Sequence, residues 1–168
     1  MKLETARLLL REFRDPDLDA YAAMCADPEV MRYLSPTGAV LSREDAWRQM
    51  ALFAGHWTLR GFGMWAVEER ASGRFIGRVG LHRPEGWPDL ELGWSLCREA
   101  WGKGYATEAA RAAAGYAFGE LRRTHLIHLI LPGNTRSIRV AERLGATPRG
   151  TAIVRGVEQL LYRLEASA

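Results

Sequence analysis

The spacing of apolar and polar positions changes along the chain, and each change marks a different element. Leu8 to Arg14 is a short apolar run edged by arginines, followed by Asp15-Pro16-Asp17, where Asp can cap a helix and Pro can take its first position. This predicts a strand and then a helix on which Leu18, Tyr21, Ala22, Met24 and Cys25 recur at roughly helical spacing. Asp27-Pro28 repeats the start signal for a short helix ending near Tyr33, and Ser35 to Ala39 reads as a Pro/Gly loop. Ser42 opens a third helix, with Asp45 approximating a capping box, and Trp47, Met50, Ala51, Ala54, Trp57 and Thr58 fall on one face before Gly61 ends it.

From Phe62 the pattern becomes that of extended chain. Phe62 to Arg70, Arg74 to His82 and Asp89 to Cys97 are separated by Ala71-Ser72-Gly73 and by a loop rich in Pro and Gly, which predicts an antiparallel meander of three strands. Tyr105 to Leu121 returns to helical spacing, with Ala109, Ala113, Tyr116, Ala117 and Leu121 on one side. Thr124 to Leu131 is an apolar strand, Thr135 to Leu144 a helix stopped at Gly145, and two last strands flank Arg155-Gly156. A strand, helix and strand unit between Asp89 and Leu131, set in an otherwise antiparallel series, makes two neighbouring strands parallel. The fold class is therefore α/β: a mixed, mostly antiparallel sheet with helices on both faces and a central parallel pair.

Length and composition narrow the function. At 168 residues with 48% hydrophobic content, residues 1–168 fit a single domain with one core. No run of about 18 apolar residues occurs, and the charged opening does not read as a signal peptide, so a cytoplasmic protein without a membrane partner is expected. Two isolated cysteines, Cys25 and Cys97, supply neither a disulfide framework nor a metal-ligand spacing; no metal is expected. A net charge of +3 comes from 23 basic and 20 acidic residues interspersed along the chain, a pattern that does not favour nucleic acid. All basic residues except Lys2 and Lys103 are arginine, which places the only internal lysine between Gly102 and Gly104.

That lysine lies in REAWGKGYATEA, residues 98 to 109, which follows a predicted strand and opens a predicted helix. Two glycines let the backbone turn and approach a ligand, and the first helical amides present unpaired donors at the positive end of the helix dipole. A diphosphate is the ligand that such a site favours. Lys103 adds a mobile charge, and the Thr107 hydroxyl is placed to cap the helix or bind phosphate. A dinucleotide fingerprint needs glycine where Thr107 stands, and a Walker loop needs Ser or Thr after its lysine, where Gly104 stands.

TARLLLRE (5 to 12), ELGWSLCREAWGKGYATEA (91 to 109) and NTRSIRVAERLGA (134 to 146), in this order and at this spacing, resemble the GNAT acetyltransferase superfamily and, within it, the branch of ribosomal-protein N-terminal acetyltransferases. In the superfamily at large the pyrophosphate motif begins with Gln or Arg in the slot held here by Glu99, with Arg98 beside it. The resemblance implies that the strand carrying Trp94, Ser95 and Leu96 splays from the strand ending near Leu131. Pantetheine of acetyl-CoA would lie in that gap against backbone groups near Leu96. The amides of Gly102, Lys103, Gly104, Tyr105, Ala106 and Thr107 would hold the pyrophosphate, and Asn134 and Ser137 would approach the thiol end. Asn134 is equally placed to be a helix cap. Arg136, Arg139 and Arg143 read as a solvated helix face.

Acetyl transfer from a thioester to an amine needs a neutral nucleophile, stabilisation of an oxyanion and a proton for the departing thiolate. The family proceeds by direct attack, so Cys97 is not required. Glu91 is the first choice of base and His82 the second, Ser137 is favoured as proton donor to the thiolate, and a backbone amide near Trp94 or Ser95 is placed to meet the oxyanion. Tyr105, Tyr116 and Tyr162 read as packing residues. Trp47, His56, Trp57 and Trp87 fall in segments that usually shape the acceptor pocket. The expected partners are acetyl-CoA and an amine, either a protein N-terminus or a small molecule. The branch often dimerises. A non-catalytic acyl-CoA sensor or interaction module is the alternative.

Overall fold

The computed structural model describes residues 1–34 and 37–166; Ser35 and Pro36 of the expected Pro/Gly loop lie outside the described residues. Eight strands form one sheet: β1 (Leu3–Glu4), β2 (Leu8–Arg11), β3 (Met64–Glu69), β4 (Arg74–His82), β5 (Glu91–Leu96), β6 (His125–Ile130), β7 (Thr147–Val154) and β8 (Val157–Glu165). Their order is β1-β2-β3-β4-β5-β6-β8-β7. Among the described residues only β5 and β6 are parallel, and every other pairing is antiparallel. Helices α1 (Leu18–Cys25), α2 (Pro28–Met31) and α3 (Arg43–Arg60) precede the meander, α4 (Tyr105–Gly119) joins β5 to β6, and α5 (Thr135–Leu144) follows β6.

The strict alternation of strand side chains divides the sheet into two faces. Leu8, Leu10, Trp65, Val67, Val79, Leu81, Leu92 and Leu96 pack with Ala109, Ala113, Tyr116 and Ala117 of α4. On the other side Tyr21, Met24 and Cys25 of α1, Val30 and Met31 of α2, and Met50 and Phe53 of α3 form a second cluster that reaches Met64. By the same alternation, Glu91, Gly93 and Ser95 share this second face with their partners His82, Gly80 and Arg78. Polar residues and glycine thus occupy positions that a two-sided buried strand would ordinarily fill with hydrophobes.

Several expected boundaries move for identifiable reasons. β2 ends at Arg11, which is still in register with Ala66; its side chain pairs with Asp17 through two contacts of 2.7 and 2.8 Å, and the Asp17 carboxylate also accepts the Arg14 amide at 2.7 Å, turning the chain away from the sheet. Asp15 is consequently not the cap; it begins a single 3-10 turn that runs into α1. α3 begins as expected, with the Ser42 hydroxyl accepting the Asp45 amide at 3.1 Å, and ends at Gly61 with φ 72°. Its buried face, however, is Ala46, Met50, Phe53 and His56, while Trp47 is 53% exposed and Ala51 and Ala54 face solvent. The larger rings decide the rotation: Phe53 stacks on Phe13 at 5.7 Å and meets Tyr21 at 6.5 Å.

Candidate active site

The groove at the centre of the molecule begins where β5 and β6 part. Their pairing is confined to Glu91 opposite Ile127, with the Ile127 amide donating to the Leu90 carbonyl at 3.0 Å. Beyond that point the ladder is replaced by side chains. The His128 ring donates from Nδ1 to the Leu92 carbonyl at 2.7 Å, and the Trp101 indole donates to the Leu96 carbonyl at 2.8 Å. Carbonyls of alternate residues point to the same edge of a strand. The Trp94 carbonyl, between these two, is therefore the polar edge left facing the gap. Of the carbonyls near Leu96, that of Leu96 itself already accepts from Trp101.

The gap widens into a cavity of about 700 Å³ lined by Trp94, Ser95, Leu96, Gly102, Gly104, Tyr105, Ala106, Thr107, Asn134 and Ser137, together with Tyr33 and Leu34 beyond α2. Every residue expected at the cofactor is among them except Lys103, whose ammonium lies 6.0 Å over the Tyr105 ring. Gly102 and Gly104 have φ 76° and 80°, a region in which glycine is strongly preferred. Gly104 is the N-cap of α4, and no side chain caps that helix, so its first amides remain open donors. Thr107 does not cap: it is the third residue of the helix and is buried.

The loop is held from behind by the chain's opening segment. Arg7 donates from Nη1 to the Lys103 carbonyl at 3.0 Å, and from Nε and its backbone amide to the Glu108 carboxylate at 2.7 and 3.0 Å. Thr5 donates to the same carboxylate at 2.6 Å. Tyr105 packs under Arg7 and donates to Glu69 at 2.5 Å. These contacts give the TARLLLRE segment a physical link to the loop. Across the groove Asn134 caps α5, its Oδ1 accepting the Ser137 amide at 3.2 Å. The Ser137 hydroxyl accepts from the Trp94 indole at 3.3 Å, which leaves its own proton free to donate. Arg136 stacks over Trp101 at 4.3 Å, and Arg139 and Arg143 are exposed beside it.

Glu91 stands on the second sheet face at the point where the strands part. Burial pushes its carboxyl up to about 7, against the opposing pull of the Trp87 indole, the Arg78 guanidinium and the Leu129 amide. The Trp87 indole donates to Glu91 at 2.8 Å. His82, its partner across β4 and β5, is drawn the other way, to about 3, by burial and then by Arg78, His56 and Arg155. His82 stacks on His56 at 5.6 Å and meets Trp87 edge-on at 5.0 Å. His56 is held by the Phe62 carbonyl at 2.6 Å and the Arg83 amide at 3.0 Å. Of the other pocket aromatics, Trp57 turns to the opposite side, donating to the Met64 carbonyl and packing on Trp65 at 5.0 Å. The Cys97 thiol is pushed up to about 12 by burial, which suits packing and not attack.

Two residues here carry no motif. His128 is 1% exposed and is drawn down to about 4 by burial; Nδ1 carries the proton and Nε2 has no partner. Arg78 sits in the interior strand β4 between β3 and β5, and its signal is available in the sequence: in IGRVGLH the basic residues 78 and 82 alternate with Val79 and Leu81. A polar period of two within an interior strand marks a face reserved for something other than packing.

Among the described residues no helix is long and apolar enough to cross a membrane. The sequence model of the acetyltransferase (GNAT) domain family matches residues 7–147. YkkB of Bacillus subtilis is 36% identical over 152 residues, covering 86% of this chain and 84% of that protein. YnaD, an N-acetyltransferase of the same organism, is 32% identical over 150 residues, covering 89% and 85%. An acetyltransferase from Agrobacterium tumefaciens superimposes with a TM-score of 0.89 at 31% identity, covering 99% of this chain and 95% of that one. The fold likeness extends to RimL, a ribosomal L7/L12 alpha-N-protein acetyltransferase in complex with coenzyme A, with a TM-score of 0.82 at 16% identity and 98% of both chains covered. With the family model matched over residues 7–147 and a relative 36% identical over most of both chains, the chain belongs to the GNAT acetyltransferase family.

Proposed function

We propose that this protein transfers an acetyl group from acetyl-CoA to a primary amine by direct attack, with Glu91 as the base. The observation that carries the reading is the open amide end of α4, facing a groove lined by Trp94, Ser95 and Leu96 of β5, the strand that begins at Glu91, its last point of pairing with β6. The residues present fit the cofactor: Gly102 to Thr107 supply donors for a pyrophosphate, the Trp94 carbonyl supplies an acceptor for a pantetheine amide, and Ser137 lies at the inner end. Acetyl-CoA supplies the activated acetyl group.

Glu91 takes a proton from the incoming ammonium or amine, directly or through one water. A carboxyl with a pKa near 7 combines a large ionised fraction at neutral pH with useful basicity. His82, at about 3, stays neutral and is too weak a base to compete; its ring shapes the wall beside Glu91. Ser137 gives its hydroxyl proton to the departing sulfur, and its position is fixed by the Trp94 indole and the Asn134 cap. Cys97, with a thiol held protonated, takes no part.

The test is thiol release from acetyl-CoA over a panel of amines and peptides, with the acetylated product identified by mass and kcat/KM followed against pH. The basic form of Glu91 is present above about pH 7 and is lost as pH falls through that value. Wild-type kcat/KM is therefore expected to fall about tenfold per unit below pH 7, beyond the loss due to protonation of the amine itself. Glu91→Gln removes that additional limb and lowers kcat/KM about 10²-fold at pH 8. A variant with the wild-type profile would remove Glu91 from the mechanism.

A further inference from the structure

Arg78 is the one feature of the second sheet face that packing does not explain. It lies in the interior strand β4, between β3 and β5 and beneath α1 and α3, and is half-buried. Its side chain contacts the Phe53 ring at 5.1 Å and Met64 Sδ at 3.8 Å. Among the described residues it forms no salt bridge, and its Nε is buried without any hydrogen-bond partner. Burying part of a guanidinium with no carboxylate in direct contact is costly. The fold demonstrates the alternative on the same face, where Arg11 is neutralised by Asp17 at 2.7 Å and Glu68 at 2.9 Å.

Ser95, which faces Arg78 across β4 and β5, is only 6% exposed, and its hydroxyl is also buried without a partner. Ser95 lines the central cavity. Two polar atoms buried without partners, Arg78 Nε and the Ser95 hydroxyl, thus belong to residues directly opposite each other in register. Beyond them the next register pair is Gly80 and Gly93, and the one after is His82 and Glu91. The floor between the two polar ends carries no side chain. A Cβ on Gly93 would stand 3.3 Å from Met64 Cε and 3.6 Å from the Glu91 carboxylate, so the glycine makes room for these two side chains.

We infer that Arg78 and Ser95 bind a carboxylate carried by the acceptor itself, so that the substrate is a small amino-acid-type amine held with its nitrogen toward Glu91 and its acid toward Arg78. This rests on the acetyl-transfer reading above and deepens it. A bidentate guanidinium contact with a hydroxyl beside it is the arrangement that recognises a planar carboxylate. It also discriminates: an acceptor without the acid leaves Arg78 Nε and the Ser95 hydroxyl buried and unpaired, and that penalty is larger than the loss of a contact on an exposed surface. A peptide N-terminus with a neutral first residue has no group to place there.

The experiment measures thiol release by the full chain with acetyl-CoA and pairs of acceptors that differ only in the acid: free amino acids against their carboxamides and against the corresponding decarboxylated amines, with peptides bearing neutral or acidic first residues as further arms. Wild type is expected to prefer the acid over its carboxamide by at least about tenfold in kcat/KM. In Arg78→Met, and more weakly in Ser95→Ala, the ratio falls toward one. Because the readout is a ratio within one protein sample, lowered stability does not mimic it. Arg78→Met is also expected to melt no lower than wild type, since it removes a half-buried charge that forms no salt bridge among the described residues. Carboxamides, amines or peptides used as well as the free acids, or an acid preference unaffected by Arg78→Met, would overturn the inference while leaving acetyl transfer standing. Thiol release with no acceptor at all, despite coenzyme A binding by calorimetry, would instead remove the acetyl-transfer reading and this inference with it.

Discussion

Two helices begin at the rim of the same groove, and their first turns are built in opposite ways. α5 starts at Asn134, whose side chain accepts the Ser137 amide at 3.2 Å, so part of its donor end is satisfied from within. α4 starts at Gly104, which has φ 80° and no side chain to offer. A helix leaves its first four amides without internal partners, and a chain that supplies no cap leaves them for water or a ligand. The capped end therefore positions side chains, Ser137 among them, whereas the open end is free to hold an anion. The same contrast holds elsewhere in the fold, since Ser42 and Asp27 cap α3 and α2. α4 is the long helix on which the cap has been omitted.

Changes at the two starts are expected to separate along that line. The largest effect follows from Gly104→Val. A β-branched residue disfavours the left-handed backbone that Gly104 adopts, and its Cβ would come 3.5 Å from Arg7 Nη2, which clamps the loop. Calorimetric titration with coenzyme A should show affinity reduced about a hundredfold or more, with the thermal transition changed far less. The smaller effect is that of Asn134→Ala. It removes a cap and is expected to cost about 1 kcal/mol in denaturant unfolding, with coenzyme A affinity changed less than tenfold. Equal losses of affinity in the two variants would break the comparison, because they would make the α5 start a binding site too.

Much of the architecture was legible in the sequence because the signals were local. Arg74 to His82 and Thr135 to Leu144 match β4 and α5 residue for residue, since a turn with Gly73 at φ 68° and a stop at Gly145 at φ 94° bound them sharply. The crossover that makes β5 and β6 parallel followed from element order alone. What escaped depends on contacts far apart in the chain. β1 is two residues long and exists only because it pairs with β2. The face of α3 was misjudged around Trp47, because periodicity alone does not show that Phe53 and His56 have rings waiting for them on Phe13, Tyr21 and His82.

The site divides in the same manner. The glycines at 102 and 104 and the N-x-x-S segment announce themselves, and the structure places both at one groove. Choosing between Glu91 and His82 as base depends on their separate environments, which push one up to about 7 and the other down to about 3 although they are neighbours in register. No motif encodes that divergence; burial by Trp87, His56 and Phe53 produces it. His128 was invisible for a related reason. Its role as a substitute for a missing ladder bond exists only where two strands have already separated.

The most direct measurement is a calorimetric comparison of coenzyme A with pantetheine, which keeps the thiol arm and lacks the pyrophosphate with its nucleotide, and with 3′-phosphoadenosine, which lacks the pyrophosphate and the arm. If the open amides of α4 hold the pyrophosphate, coenzyme A binds saturably and each of the two fragments binds at least about a hundredfold more weakly. Equal affinity for coenzyme A and either fragment, or failure of coenzyme A to bind, would contradict the account.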